Sequence, residues 1–318
     1  MTLYYYDPVF MEHQTGDHPE RSDRVLAVVR HLNFIALDSS CIRPSWLPAT
    51  VQRLRYVHTD DYIDSVKRFA DAGGGYLDAD TFISRKSFEV ASVATGAVCD
   101  AVTRVVAGED RNAFCLVRPP GHHAMPDHAM GFCLFNHVAV GARVATRELG
   151  LRSVLIVDFD VHHGNGTQAI FWEDPAVGYF SMHRWPLYPG TGADDETGGG
   201  AGLGTTLNIP ITFGTSAWQQ LSIFEDRLGD FADRLRPELV LVSAGFDSHK
   251  DDPIGSLGLE TEDFRPLTRI LLEVAERHSQ GRLVSVLEGG YNSEALTESV
   301  TVHLEELVAA PGQGSAPR

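Results

Sequence analysis

Along the second two-thirds of the chain, short and continuously apolar runs alternate with longer segments whose apolar residues recur every three or four positions. The runs near 114–118, 153–158, 177–182, 205–210, 239–243 and 283–288 have no polar face to turn to water, which predicts strands covered on both sides. The segments near 136–149, 216–235, 262–280 and 293–308 predict helices between and after them. Strands separated by helices run parallel, so the pattern predicts a single-domain α/β fold with a mainly parallel central sheet covered by helices. Earlier in the chain the spacing supports helices near 21–33, 59–72 and 87–107, the last through Val90, Val93, Ala94, Ala97 and Val98.

Polar clusters sit directly after four of the predicted strands. Asp158-Phe159-Asp160-Val161-His162-His163-Gly164-Asn165-Gly166 follows Ser153 to Val157, and Arg118-Pro119-Pro120-Gly121-His122-His123 follows Ala113 to Val117. Ser243-Ala244-Gly245-Phe246-Asp247 follows Leu239 to Val242, and Glu288-Gly289-Gly290-Tyr291 follows Leu283 to Leu287. Open α/β sheets bind ligands at the carboxyl ends of their strands. Two histidines, a potential ligand set, an aspartate and a tyrosine are therefore delivered to one edge of one sheet. If residues 158–162 are extended, Asp158, Asp160 and His162 project to the same side.

Composition narrows the class. At 318 residues and 43% hydrophobic content, the chain can bury one large core, and no continuous apolar run reaches the ~18 residues of a membrane span. The start, Met1-Thr2-Leu3-Tyr4-Tyr5-Tyr6-Asp7, lacks a basic region followed by an apolar one, which predicts a cytoplasmic protein. Cys41, Cys99, Cys115 and Cys133 have no metal-like or disulfide-like spacing and are expected to be reduced and mostly buried. A net charge of −17 argues against direct contact with nucleic acid and suits cationic partners such as basic protein tails or polyamines. The glycine-rich stretch 198–204 precedes a strand and lacks a Gly-Lys-Ser/Thr ending, so it is expected to be a loop beside the site, not a phosphate cradle. Residues 309–318 lack periodicity and are expected to form a disordered tail after a domain spanning 1–308.

Taken together, RPPGHHA at 118–124, GFCLFN at 131–136, DFDVHHGNGTQ at 158–168, YPGTG at 188–192, SAGFD at 243–247 and LEGGYN at 287–292 resemble the zinc-dependent histone deacetylases and deacetylase-like amidohydrolases of the arginase/deacetylase fold. The similarity runs over about residues 3 to 308 with the motifs in the family's order. Asn165 within HHGNG, and HPERSDR at 18–24, resemble the class II branch with its bacterial members.

The resemblance implies hydrolysis of an Nε-acyl-lysine amide, with acetylpolyamine amidohydrolase as the alternative substrate class and a non-catalytic acyl-lysine reader as the alternative without chemistry. A binuclear ureohydrolase is disfavoured, because only one complete ligand triad is evident. By resemblance Asp160, His162 and Asp247 hold Zn²⁺; two oxygens and one nitrogen also admit Fe²⁺ or Co²⁺. His123 matches the general base and then acid, His122 its electrostatic partner, and Asp158 and Asn165 their respective hydrogen-bond partners. Tyr291 matches the carbonyl-polarising phenol. Phe132 and Tyr188 match the walls of an acyl-chain tunnel, with Gly131, Gly290, Ile254 and Asp80 as further substrate contacts and Arg21 lining a product channel. Asp158, Asp160, His162, Ser181 and Met182 match a structural K⁺ site, and Phe171, Asp174 and Val177 suggest a second. A homo-oligomer is compatible with the family.

Overall fold

The computed structural model describes residues 1–310. Its first part comprises β1 (Thr2–Tyr5), α1 (Ser22–Phe34), β2 (Cys41–Ile42), α2 (Val51–Leu54), α3 (Asp60–Asp71), a hairpin of β3 (Gly74–Tyr76) and β4 (Phe82–Ser84), and α4 (Ser87–Ala107). Then follow β5 (Asn112–Cys115), α5 (His137–Arg147), β6 (Val154–Asp158), α6 (Asn165–Phe171), β7 (Val177–Arg184), β8 (Thr206–Ile211), α7 (Ala217–Leu235), β9 (Leu239–Ala244), α8 (Phe264–Ser279), β10 (Leu283–Leu287) and α9 (Ser293–Ala309).

One sheet of eight strands holds the chain together, in the order β2-β1-β5-β10-β9-β6-β7-β8, with every pairing parallel. Its strands read as continuous apolar runs because both faces are covered. Val154, Ile156, Leu239, Leu241, Val284 and Val286 enter the core shared with α4 and α5. Their neighbours Leu155, Val157, Val240, Val242, Leu283 and Leu287 enter the core beneath α1, α7, α8 and α9. Burying each such side chain stabilises the fold by about 1.5–3 kcal/mol.

The strand order matters more than the strands. β5, β10, β9 and β6 are consecutive neighbours, although they are widely separated in sequence. Parallel pairing puts their four carboxyl ends side by side, and these are the four ends that carry the polar clusters.

Several boundaries differ from those the pattern predicts. β5 stops at Cys115 and not 118: Leu116 N still donates to Tyr5 O at 2.9 Å, but Pro119 and Pro120 have no N–H to continue the ladder. β1 and β2 are too short to show in the hydrophobic pattern, and α6 lies hidden inside a motif read as a ligand loop. The glycine-rich stretch 198–204 packs against Trp172, Glu173 and Asp174 at the end of α6, not beside the metal-ligand cluster. α4, although broken by Glu89, Asp100 and Arg104, is long and apolar enough on average to cross a membrane, yet 67% of its most apolar window is buried inside the protein. Cys99, Cys115 and Cys133 are buried and Cys41 is half-buried, all unpaired. α9 continues to Ala309, and the rest of the expected tail, 311–318, lies outside the described residues.

The N-terminal segment is tied to the sheet by buried charge. Glu20 accepts both Arg118 Nε at 2.8 Å and Arg118 Nη2 at 2.9 Å, and Arg24 Nη1 lies 3.1 Å from the same carboxylate. Arg118 Nη1 also donates to the carbonyls of Phe10 and His13, while Arg24 reaches the carbonyls of Gly290 at 2.6 Å and Glu288 at 2.7 Å. All three charged side chains are within 1% of full burial. Glu20→Ala leaves two buried guanidinium groups without their counter-charge, and is expected to cost about 3–5 kcal/mol. Denaturant unfolding measures this; an unchanged midpoint would show that the cluster contributes nothing net.

Candidate active site

At the shared edge of the sheet, ligand atoms of Asp160, His162 and Asp247 lie within 4.8 Å of one another. His162 Nδ1 is 3.0 Å from Asp160 Oδ1 and 3.1 Å from Asp247 Oδ2. Backbone N–H groups aim the carboxylates: Val161 N donates to Asp247 Oδ1 at 2.9 Å, and Gly289 N to Asp160 Oδ2 at 2.8 Å. Two glycines make room. A Cβ on Gly245 would stand 2.0 Å from Asp160 Oδ2, and one on Gly289 would stand 2.1 Å from Asp247 Oδ2.

This donor set fits a divalent metal. Ligand atoms about 2.0–2.2 Å from a tetrahedral centre lie about 3.4 Å apart, close to the separations from His162 found here. Burial, and then the charge of Asp160, push Asp247 up to about 7. Burial raises Asp160 as well, but His122 and His162 outweigh it and hold its carboxyl below the usual range. Two carboxylates fully out of water and within reach of each other are a place for added positive charge.

Asp158 does not share a face with these ligands. β6 ends there, and the chain then leaves the extended geometry on which the even spacing of 158, 160 and 162 rests. Its Oδ2 instead meets His122 Nδ1 at 3.0 Å and accepts from the Tyr179 hydroxyl at 3.3 Å, while Oδ1 accepts from Asp160 N at 3.1 Å.

The tandem histidines have unlike surroundings, although their ring centres are only 4.0 Å apart. Burial disfavours the charged form of His122, but Asp158 and Asp160 outweigh it and push its pKa up to about 10. His123 goes the other way, well below the usual value, because burial and the charges of His122 and His162 all oppose protonation. Its Nδ1 lies 2.7 Å from Asn165 Oδ1, and Asn165 Nδ2 donates to the sulfurs of Met125 and Met130. With the amide so oriented its oxygen can only accept, so Nδ1 of His123 carries the hydrogen and Nε2 keeps its lone pair.

A cavity of about 250 Å³ leads to this cluster, lined by Asp80, His123, Gly131, Phe132, His162, Leu187, Tyr188, Ile254 and Tyr291. Phe132 and Tyr291 meet edge to face at 5.7 Å, and Tyr188 stands edge-on to His123 at 5.3 Å. Gly131 has φ +56°, and a Cβ there would come within 2.4 Å of the His123 ring, so the tunnel wall passes the imidazole only because that residue is glycine. Burial holds the Tyr291 phenol well above its ordinary pKa, which keeps the hydroxyl protonated.

Two expected positions differ. Arg21 is half-exposed on the surface, with Asp23 at 3.6 Å, and reaches no part of the cavity. One helical turn later, Arg24 lies buried with its guanidinium 4.7 Å from the centre of the Tyr291 ring. The motif HPERSDR contains both arginines, and sequence spacing alone does not tell which one α1 turns inward. Gly290 lies behind the cavity wall, and its carbonyl accepts from Arg24. Of the set Asp158, Asp160, His162, Ser181 and Met182, Asp158 at the end of β6 and Ser181 within β7 are register partners. Of the second set, Asp174 is ion-paired with Arg143.

Sequence reasoning gave no role to Glu288 or Thr81. Glu288 is buried, accepts from Gly121 N at 2.6 Å, His122 N at 3.2 Å and Ser243 Oγ at 3.0 Å, and is pushed up to about 7, chiefly by burial. A charged residue at the end of an apolar strand was the available signal. Thr81 Oγ1 accepts from Phe132 N at 3.1 Å and steadies a residue at φ +70°.

The chain matches the histone deacetylase domain over residues 18–307. It is 38% identical to the histone deacetylase-like amidohydrolase of Pseudomonas aeruginosa, covering 96% of this chain and 86% of that one. It is also 38% identical to the human polyamine deacetylase HDAC10, over 97% of this chain and 48% of that protein. The crystal structure of the HDA15 HD domain superposes with a TM-score of 0.92 at 35% identity, covering 100% of this chain and 90% of that one.

Asp247→Ala removes one of three converging donors and is expected to abolish stoichiometric metal binding in a folded protein. Metal analysis after dialysis checks it, and a variant that kept one equivalent would take Asp247 out of the ligand set.

Proposed function

The chain belongs to the histone deacetylase family of amide hydrolases, and from that premise we propose that it removes acyl groups from Nε-acyl-lysine in peptides or proteins. The observation that supports this most is the narrow cavity between Phe132 and Tyr188, which ends on the Asp160, His162 and Asp247 cluster beside His123 and Tyr291. A slot between aromatic faces suits an aliphatic chain carrying its amide to the bottom.

Zn²⁺ is the proposed metal, with Fe²⁺ or Co²⁺ accommodated by the same donors; bound there, it supplies an acidified water and polarises the acyl oxygen. His123, uncharged with Nε2 open, accepts the proton of the attacking water and returns it to the departing amine. Asn165 fixes the ring's tautomer through Nδ1. His122 stays charged beside Asp158, and its positive charge discourages His123 from holding a proton before reaction. Tyr291 donates its hydroxyl hydrogen to the oxygen on which negative charge develops. K⁺ beside Asp158 and Ser181 belongs to the proposal as a structural ion.

Acetylated polyamines are the second reading, favoured by the likeness to a protein named as a polyamine deacetylase. The tunnel mouth weighs against it. Ile254, an apolar residue, lines the cavity, whereas the Asp252 carboxylate is turned to the backbone of 254, 255 and 291. Asp251 is exposed and stands outside the lining, which leaves Asp80 as the rim carboxylate. A carboxylate 4 Å from an ammonium contributes about 1–4 kcal/mol depending on effective dielectric.

The test is a panel of acetyl-lysine peptides, longer acyl-lysines and N-acetylspermidine. Acetyl-lysine peptides are expected to have the higher kcat/KM, Ile254→Glu to move the ratio toward the polyamine, and Tyr291→Phe to lower kcat by ~10²-fold or more with metal retained. A wild-type preference for acetylpolyamine over every peptide would reverse the substrate assignment; turnover within about threefold of wild type in Tyr291→Phe would remove the phenol from the chemistry.

The neutrality of Asn165 gives a pH prediction. Asn165→Asp places a carboxylate on His123 Nδ1–H, stabilises the imidazolium and raises the pKa by about one unit or more. Because only unprotonated His123 accepts a proton, the acid limb of kcat/KM is expected to move to higher pH. A profile unchanged from wild type would argue against His123 as the base.

A further inference from the structure

Asp252 is buried, and its two oxygens face two different loops. Oδ1 accepts from Ile254 N at 2.9 Å and Gly255 N at 3.0 Å, which fixes the turn that brings Ile254 to the tunnel mouth. Oδ2 accepts from Tyr291 N at 2.6 Å. Side chains hold the turn that presents Tyr291 at three successive residues, Gly289 N by Asp160, the Gly290 carbonyl by Arg24 and Tyr291 N by Asp252, beside a backbone bond from Phe246 N to the Gly289 carbonyl at 3.1 Å. Of the three, only Asp252 also holds the rim.

We infer that Asp252 is a positioning residue that sets the Tyr291 phenol and the Ile254 rim with one carboxylate, so that the shape of the tunnel mouth and the placement of the oxyanion donor are coupled. This rests on the proposed role of Tyr291. The carboxylate suits the task because it alone offers acceptors on both sides. Asparagine has one oxygen for two sets of N–H donors and must turn its own NH₂ against one of them. The loops do not fall apart when it does so, since Asn292 Nδ2 still donates to the Asp251 carbonyl at 3.0 Å and Ser256 N to the Asp247 carbonyl at 2.7 Å. What is lost is precision at Tyr291, and a small displacement of an oxyanion donor is felt in kcat.

The experiment is a double-mutant cycle on the metal-loaded full chain, reading kcat and KM with an acetyl-lysine peptide, and metal content for every variant. Asp252→Asn is expected to lower kcat roughly ten- to a hundredfold, the scale of a lost hydrogen bond to a charged group, with one metal retained. In the Tyr291→Phe background the same substitution is expected to change kcat less than about twofold, because there is no hydroxyl left to misplace. Any change in KM transmitted through Ile254 is expected to persist in both backgrounds. Equal kcat losses in the two backgrounds, or none in either, overturn the inference while leaving the role of Tyr291 standing. A Tyr291→Phe enzyme as fast as wild type sinks the role of Tyr291 first. Should Asp252→Asn not fold, Asp252→Ser keeps an acceptor for Ile254 and Gly255 and is too short for Tyr291 N; failure of both to fold assigns Asp252 to stability and overturns the inference.

Discussion

Four carboxylates, Asp158, Asp160, Asp247 and Glu288, are wholly buried along one edge of the sheet, and much of the surrounding structure answers the cost of keeping that charge out of water. Each has found its own compensation. Asp158 has a charged imidazole, Asp160 and Asp247 have His162 and backbone N–H groups, and Glu288 takes two amides and a hydroxyl and is pushed toward neutrality. Within the ligand cluster the compensation is uneven: Asp160 is held below the usual range while Asp247 is pushed up to about 7. A divalent cation held by the proposed triad would complete the balance.

The same arrangement sets the two histidines apart. His122 and His123 are adjacent in sequence and nearly in contact, yet one is turned toward a carboxylate and the other toward an amide. Mutual repulsion sharpens the difference, since a charged His122 makes a second charge on His123 harder to add. Two copies of one residue thereby come to hold different protonation states at the same pH.

Much of this was legible in the sequence because parallel strands advertise themselves as apolar runs and polar residues at their ends are conspicuous. The ligand triad and the histidine pair are short-range features of that kind. What the sequence concealed was long-range. Nothing in the hydrophobic pattern orders the strands β5-β10-β9-β6, shows which arginine of HPERSDR faces inward, or tells that the Asp252 carboxylate is turned to backbone amides and not to the tunnel. β1 and β2, four and two residues long, left too little periodicity to detect. Asp158 misled because even spacing implies a shared face only while the backbone stays extended, and β6 ends at that residue.

The position of β10 has a consequence for how the protein comes into being. It is the last strand along the chain and yet it lies between β5 and β9, in the middle of the sheet. As the chain leaves the ribosome, β5 and β9 are complete while both still present unpaired edges, which are templates for association with other chains. The sheet closes only when residues 283–287 emerge and insert, and Gly289, Glu288 and Tyr291 arrive with them. Closure of the hydrophobic core and completion of the site therefore come together and late. A nascent chain that stalls before β10 lacks a finished core and the Glu288, Gly289 and Tyr291 part of the site, although β6 and β9, which carry the ligand triad, pair directly with each other.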